Sequence, residues 1–356
     1  MRPRHARTGV ETEAGADDKD PLAGQHTAVE IEFRNVTKRY PGQSEPAISE
    51  LSLTVPAGAI CCLVGPSGGG KTTAMKLVNR LIELTEGDIL VGGESIRSMD
   101  VISLRRDIGY VIQQVGLFQH MTVAGNIATV PTILGWQKDR IRARVAELLE
   151  LVRLDASYAT RYPGQLSGGQ QQRIGLARAL AVDPPVMLMD EPFGALDPIT
   201  RAEIQDEFLR LQASIGKTVI FVTHDIDEAI KMGDRIAVLR EGGTLAQYGT
   251  ADELLGSPAD SFVADFVGAD RGLKRLSLRR LGELVDGPGE PAPPGAPALS
   301  ETTTLRTGLS VLFDTGADVL VVTDGDGNRR GTVSLRQLRS AVGGDDAAAA
   351  SKGGDA

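Results

Sequence analysis

One stretch restricts the possible folds more than any other: GPSGGGKTT, residues 65–73, directly after the apolar run AICCLV. A short, β-branched apolar run bounded by turn residues reads as a strand buried on both faces. After the glycines, KTTAMKLVNRLIEL has helical character over residues 71–84. A glycine-rich loop between a buried strand and a helix lets backbone N–H groups close around an anion, and the helix N-terminus adds partial positive charge. Gly65 to Thr72 fits the pattern G-x-x-x-x-G-K-[ST], in the context that pattern requires. The loop reads as a nucleotide-phosphate cradle built from Gly65, Pro66, Ser67, Gly68, Gly69 and Gly70, with Thr73 beside it. Lys71 would reach the β- and γ-phosphates and the Thr72 hydroxyl would ligate Mg2+.

The rest of the chain fits an α/β architecture around that loop. VEIEFRNVTKRY, ELSLTV, PVMLMDE and TVIFVTHD read as strands; TRAEIQDEFLRLQASI reads as the helix between the last two. Strands alternating with helices predict a mainly parallel sheet covered on both faces. Residues from about 115 to 165 are expected to be mostly helical, with KDRIRARVAELLELVRL amphipathic. A hairpin, RIAVLRE with GTLAQYGT, and two helices, ADELLGS and SFVADFVGAD, come next.

Five further positions suit work on a nucleoside triphosphate. Asp190 and Glu191 end the strand PVMLMDE, and consecutive strand side chains diverge. Asp190 can therefore face the metal while Glu191 polarises water on the γ-phosphate side. His224 ends TVIFVTHD, at the carboxyl edge of the sheet where α/β ligands collect. An imidazole there could hydrogen-bond the γ-phosphate and hold the water in line. Gln113, after IGYVI, could touch the metal or the attacking water through its amide oxygen. Tyr40, in KRYPG, could stack on a base through its ring face.

A second glycine loop, LSGGQQQR at 166–173, opens another helix. Ser167, Gly168, Gly169 and Gln170 make an anion site from a hydroxyl, glycine N–H groups and a helix N-terminus. It has neither lysine nor metal ligand, so it cannot hold Mg-ATP alone. A two-fold dimer resolves this: each second loop closes over the γ-phosphate held by the other chain.

The formal net charge of −9 lacks the basic footprint that general nucleic-acid binding requires. No apolar run approaches the roughly 20 residues of a membrane helix, and the N-terminus has no apolar core resembling a secretory signal. Residues 1–28 and 343–356 read as disordered tails. Cys61 and Cys62, the two cysteines, are adjacent on one strand and point to opposite faces, as buried thiols rather than a disulfide.

GPSGGGKT, IGYVIQ, LSGGQQQR, VMLMDEPFGALD and VTHD, in this order, resemble the nucleotide-binding subunit of an ABC transporter over roughly residues 29–268. The resemblance implies an ATPase with a P-loop core of RecA-like type and a helical subdomain. It also implies roles residue by residue: Tyr40 as the aromatic stack on adenine, Gln113 as the Q-loop, and Ser167 to Gln170 as the signature acting in trans. Asp190 and Glu191 become Walker B and the catalytic base, Asp197 in GALD the D-loop at the dimer interface, and His224 the switch histidine. YVIQQVGLFQHMTVAGNIATVP and GADRGLKRLS are similar to import ATPases for glycine betaine, carnitine or choline. In that group a pair of ATPase chains serves a membrane permease pair from the cytoplasmic face. The segment Gln114 to Met121 would contact a permease helix, and an extracytoplasmic binding protein would deliver solute.

VDGPGEPAPPGAPALSETTT marks a linker. Beyond it, helix, strand, strand and helix are similar to one CBS motif within residues 269–342, with Gln337 where such motifs carry an acidic residue for ribose. One motif lacks its partner face, which implies pairing across the dimer or partial degeneration. The basic stretch RGLKRLSLRR is amphipathic if helical; it reads either as a sensor of anionic lipid or ionic strength or, more commonly for such a run, as a solvated charged face. Import of another small solute is the nearest alternative function. A DNA-maintenance ATPase would need a long coiled coil between Gln113 and Leu166, where only about 50 residues stand. A ribosome-acting relative would carry two ATPase units, and a CBS-type sensor would need neither Glu191 nor His224.

Overall fold

The computed structural model describes residues 27–112, 116–285 and 292–342. Apart from Thr27 and Ala28, the expected tails lie outside these residues, as do positions 286–291 of the linker. The central element is a six-stranded sheet. Its order is Leu245–Gly249, Arg235–Leu239, Ile60–Val64, Thr218–Val222, Val186–Asp190, Ile108–Val111. All neighbours run parallel except the hairpin edge formed by the first two. Ile60–Val64, the strand feeding the glycine loop, is buried along its whole length, as the apolar run predicts.

Alternation along that strand divides the core in two. Ile60, Cys62 and Val64 enter one cluster, together with residues of the helices Lys138–Leu151, Gly168–Ala179 and Pro198–Ile215. Cys61 and Leu63 enter the other, with Ala74, Met75, Leu77 and Val78 of the helix Lys71–Val78. The same split recurs on neighbouring strands: Met187, Met189, Val219 and Phe221 face the first cluster. Val186, Leu188, Ile220 and Val222 face the second. The helices opened by the two glycine loops therefore cover opposite faces of one sheet.

The second cluster is completed by an antiparallel sheet in the order Ile48–Val55, Ile31–Lys38, Glu86–Val91, Glu94–Ser95. Two of these strands, Glu86–Val91 and Glu94–Ser95, carry little sequence signal. The first opens on Glu, Gly and Asp, which strands disfavour. It pairs through a bulge, where Asn35 has φ 48° and Gly87 has φ 80°. A Cβ on Gly87 would lie 2.3 Å from the Asn35 carbonyl oxygen, so only glycine fits. The helix expected over 71–84 stops at Val78, because Asn79 leaves helical geometry and Arg80 turns into the left-handed region at φ 50°.

The stretch 115–165 contains the short helices Val123–Ile127 and Thr129–Ile133 and the longer Lys138–Leu151, joined by loops and 3-10 turns. At the C-terminal end, Ala298–Ser300, Val319–Thr323 and Arg329–Ser334 form a separate three-stranded sheet. The helices Leu305–Thr315 and Leu335–Val342 pack on it around their own core of Leu281, Leu305, Leu312, Leu320, Val322, Val333 and Leu338. Ala298–Ser300 was not expected; it is three residues long and pairs parallel with Val319–Thr323. Leu276, from the basic stretch, joins this core as part of the helix Arg271–Leu278.

Candidate functional site

The glycine loop leaves the buried strand with Gly65 at φ 148°, where a Cβ would sit 2.1 Å from the Leu239 carbonyl oxygen. Gly70, at φ 74°, is the N-cap of the helix Lys71–Val78 and offers no side-chain cap. The first-turn N–H groups thus have no side-chain competitor for an anion. Ser67 and Gly68 are exposed at the tip, and Gly69 is buried and donates to the Pro66 carbonyl at 3.1 Å. Lys71 folds over the loop, donating to the carbonyls of Gly65 (2.8 Å) and Pro66 (2.7 Å). Burial pushes the Lys71 pKa down, against the opposing charges of Glu191 and Asp190.

Thr72 Oγ1 donates to Asp190 Oδ1 at 3.0 Å, joining the loop to the end of the strand Val186–Asp190. Burial raises the Asp190 pKa from its ordinary value, against the Thr72 hydrogen bond and the charges of Lys76 and Lys71. Tyr110, on the adjacent strand, is pushed up to about 12 by burial and by the Asp190 charge. The Thr72 hydroxyl and the Asp190 carboxylate, in contact beside the glycine loop, are hard oxygen donors of the kind that suits Mg2+.

Glu191 turns away from the strand direction at φ 43°, a left-handed geometry uncommon for a residue with a side chain. Its N–H donates to the Val222 carbonyl at 2.9 Å, and its own carbonyl accepts from Gly194 at 3.2 Å. The turn brings Oε1 to 3.2 Å from His224 Nδ1. His224 is 67% exposed in its side chain, so the pair sits at the rim rather than in the core. Asp197 caps the helix Pro198–Ile215 by accepting from Thr200 N–H at 3.1 Å; hydrogen bonds from the Thr200 side chain and backbone lower its pKa. Tyr40 is half-buried, with Lys38 Nζ 4.9 Å from its ring centroid. Gln113, and with it Gln114, lies outside the described residues.

The second glycine loop is a capping box: Ser167 Oγ accepts from Gln170 N–H at 3.3 Å, and Gln170 Oε1 accepts from Ser167 N–H at 3.0 Å. Ser167 and Gly168 are exposed. The loop thus presents a hydroxyl and a helix N-terminus outward, on the far side of the sheet from the Lys71–Val78 helix.

Comparison with known proteins agrees with this geometry. The family model described as ABC transporter matches residues 48–194. The osmoprotectant import ATP-binding protein OsmV of Salmonella typhimurium is 50% identical over 318 residues, 88% of this chain and 81% of that one. The chain belongs to the ATP-binding subunits of ABC transporters. The glycine betaine/carnitine/choline transport ATP-binding protein OpuCA of Bacillus subtilis is 45% identical over 309 residues, 86% of this chain and 79% of its own. A solved dimer of the ATP-binding cassette MJ0796, bound to ADP and Pi, is 35% identical with a TM-score of 0.55. It covers 62% of this chain and 98% of its own. The chain is thus an ABC ATPase that binds and hydrolyses ATP.

Several buried polar contacts near these loops were not read from the sequence. Gln205 and Glu228 are buried, and Gln205 Nε2 donates to Glu228 Oε1 at 2.9 Å. That bond ties the helix capped by Asp197 to the helix Ile226–Met232 after His224; burial raises the Glu228 pKa. Fully buried Asn126 clamps residues 118–122: it accepts from Phe118 N–H (2.8 Å) and donates to the Phe118, Met121 and Thr122 carbonyls. Its clamp leaves Phe118 and Met121 exposed. The second and third glutamines of LSGGQQQR also have distinct partners. Gln171 donates to the Pro163 and Leu166 carbonyls, and buried Gln172 donates to the Pro192 carbonyl. A run of three glutamines inside one helix was the available signal, since interior amides are buried only with partners.

Proposed function

We propose that two copies of this chain clasp ATP between them and drive a membrane permease that imports a quaternary-amine osmoprotectant such as glycine betaine, carnitine or choline. One observation carries the two-chain reading: the Lys71 loop and the Ser167 loop open helices on opposite faces of the same sheet. With one layer on each face of a sheet spaced about 10 Å from it, a single chain cannot bring both to one nucleotide. The cargo class rests on the relatives, named for osmoprotectant import and for glycine betaine, carnitine and choline transport.

In this reading Gly65 to Gly70 and Thr73 surround the phosphates, Lys71 leaves its loop carbonyls for the β- and γ-phosphates, and Tyr40 stacks on adenine. Thr72, Asp190 and Gln113 hold Mg2+, which when bound neutralises phosphate charge. Glu191 accepts the proton of the attacking water. His224 keeps Glu191 and the water in line. Ser167 to Gln170 and Asp197 close on the partner's nucleotide. Phe118 and Met121, presented by the Asn126 clamp, contact the permease, and a binding protein outside the membrane supplies the solute. The chain sits peripherally on the cytoplasmic face; among the described residues no helix is long and apolar enough to cross a membrane.

Residues 269–342 are read as one CBS-like module that pairs across the dimer. Nucleotide sensing there is disfavoured: Gln337 Oε1 is engaged by Ser334 N–H (2.8 Å) and the Ser334 hydroxyl (2.9 Å), as a helix cap. The basic helix is also committed inward. Arg275 pairs with Asp252 at 2.6 Å, and Lys274, 11% exposed, pairs with Asp227 at 3.0 Å and Asp270 at 3.1 Å.

Ser167→Arg tests the two-chain reading. Hydrolysis should be lost while the isolated chain binds ATP as before; loss of ATP affinity in the monomer would contradict it.

A further inference from the structure

We propose that Gln172 is a positioning residue that carries the state of one half-site to the catalytic carboxylate of the other, making hydrolysis at the two sites of a dimer cooperative. The inference rests on the two-chain reading above and concerns a link within each chain.

Gln172 lies on the helix Gly168–Ala179, whose N-cap Ser167 and first residue Gly168 are exposed. It is 5% exposed, and its Nε2 donates to the carbonyl of Pro192. Pro192 comes directly after Glu191. The Glu191 backbone is held at φ 43°, so its carboxylate direction depends on what fixes the adjoining peptides. Two of the restraints are local or within the sheet: Glu191 N–H to Val222 O, and Gly194 N–H to Glu191 O. Gln172 supplies a restraint that comes from the helix of the second glycine loop.

The direction of coupling is set by which chain owns which group. In the sandwich, Ser167 to Gln170 of one chain engage nucleotide held by its partner, while Glu191 of that same chain acts on its own nucleotide. A shift of the Gly168–Ala179 helix on engaging the partner's γ-phosphate is transmitted by the Gln172 amide to the Pro192 carbonyl and so to Glu191. Apolar packing around Phe193 and Leu196 also joins helix and loop, and it fixes no direction at the Pro192 carbonyl. Restraining an excursion of the carboxylate matters because productive geometry is set to within a fraction of an ångström. Gln172 touches neither nucleotide nor water; it acts through Glu191.

The test uses the full chain with Gln172→Leu, and Gln172→Met as an unbranched replacement of similar length should Leu fail to pack. Steady-state phosphate release is measured against ATP concentration, with ATP-induced dimerisation scored separately in a Glu191→Gln background. The expected result is a fall in kcat of about tenfold or more, a Hill coefficient moved toward one, and an ATP dissociation constant within about twofold of the parent. ATP-induced dimers should persist. Parental kcat and parental Hill coefficient in a variant that still dimerises would overturn the coupling and leave the sandwich standing. Failure of Glu191→Gln itself to dimerise in ATP would overturn both. An equal loss of kcat with the Hill coefficient unmoved would reduce Gln172 to a packing role and overturn the proposal.

Discussion

His224 Nδ1 stands 3.2 Å from Glu191 Oε1 at the carboxyl edge of the parallel sheet, although the two residues are separated by a whole helix and strand in sequence. Glu191 directly follows the strand Val186–Asp190, His224 comes two residues after the strand Thr218–Val222, and those strands are hydrogen-bonded neighbours. Adjacent parallel strands deliver their ends to one place, which is how a strand-end carboxylate and a strand-end imidazole meet without any local sequence signal.

From this pairing, Glu191→Gln should remove the base while keeping the turn at φ 43°, since Gln and Glu are isosteric. Hydrolysis should fall by about 10²- to 10⁴-fold, and ATP should remain bound. Phosphate release together with retained nucleotide decides it. A variant with parental turnover would show that Glu191 is not the base.

Asp190 gives a pH signature. Burial raises its folded-state pKa. The folded state therefore holds the proton more tightly than the unfolded chain, and this group's contribution to stability falls as pH rises through the interval between the two pKa values. Asp190→Asn removes that loss. Nucleotide-free Asp190→Asn should melt a few degrees above the parent at neutral pH, and the gap should close as pH falls into the carboxylate range. A pH-independent gap, or a less stable variant, would contradict the assignment.

Gly65→Ala meets two obstacles at once: φ 148° and a Cβ placed 2.1 Å from the Leu239 carbonyl oxygen. Backbone strain alone costs about 1–3 kcal/mol. Thermal melting should drop, with nucleotide affinity lost in calorimetry. Gly135→Ala, at φ 73° with open space around its Cβ, should lose less stability and no affinity.

Leu276 links the basic helix to the C-terminal core and is fully buried there. Leu276→Ala should cost about 2–5 kcal/mol and open residues 269–342 to limited proteolysis before the ATPase core. Leu273→Ala, on the exposed side of the same helix, should not.

What was legible in the sequence depended on whether the signal was local. The strand Ile60–Val64 and the loop after it were readable because both-face burial and the turn each demand particular residue types over consecutive positions. Cys61 and Cys62 were readable as opposite-facing for the same reason, and they enter separate clusters; burial pushes the Cys61 thiol up to about 12. The strand Glu86–Val91 was hidden because its pairing is made by a bulge with Asn35, which no residue within the strand announces. The end of the first helix at Val78 was hidden too, since the apolar pattern runs on to Leu84, which is buried although it lies beyond the helix end. Residues such as Lys71, Asp190 and Glu191 stand out in the sequence because their type and their place at or after a strand end suggest a chemistry. Gln172, Gln205, Glu228 and Asn126 do not, because their partners are backbone or side chains brought close only by the fold.

One nucleotide is expected to need two chains, since the helices opened by the Lys71 loop and the Ser167 loop lie on opposite faces of one sheet. The most direct measurement is the ATP hydrolysis rate per chain as a function of protein concentration, with the association state followed in parallel by sedimentation. The rate per chain should rise with concentration in step with an ATP-dependent dimer and vanish where the protein is monomeric. A rate per chain that stays constant down to strictly monomeric protein would contradict it.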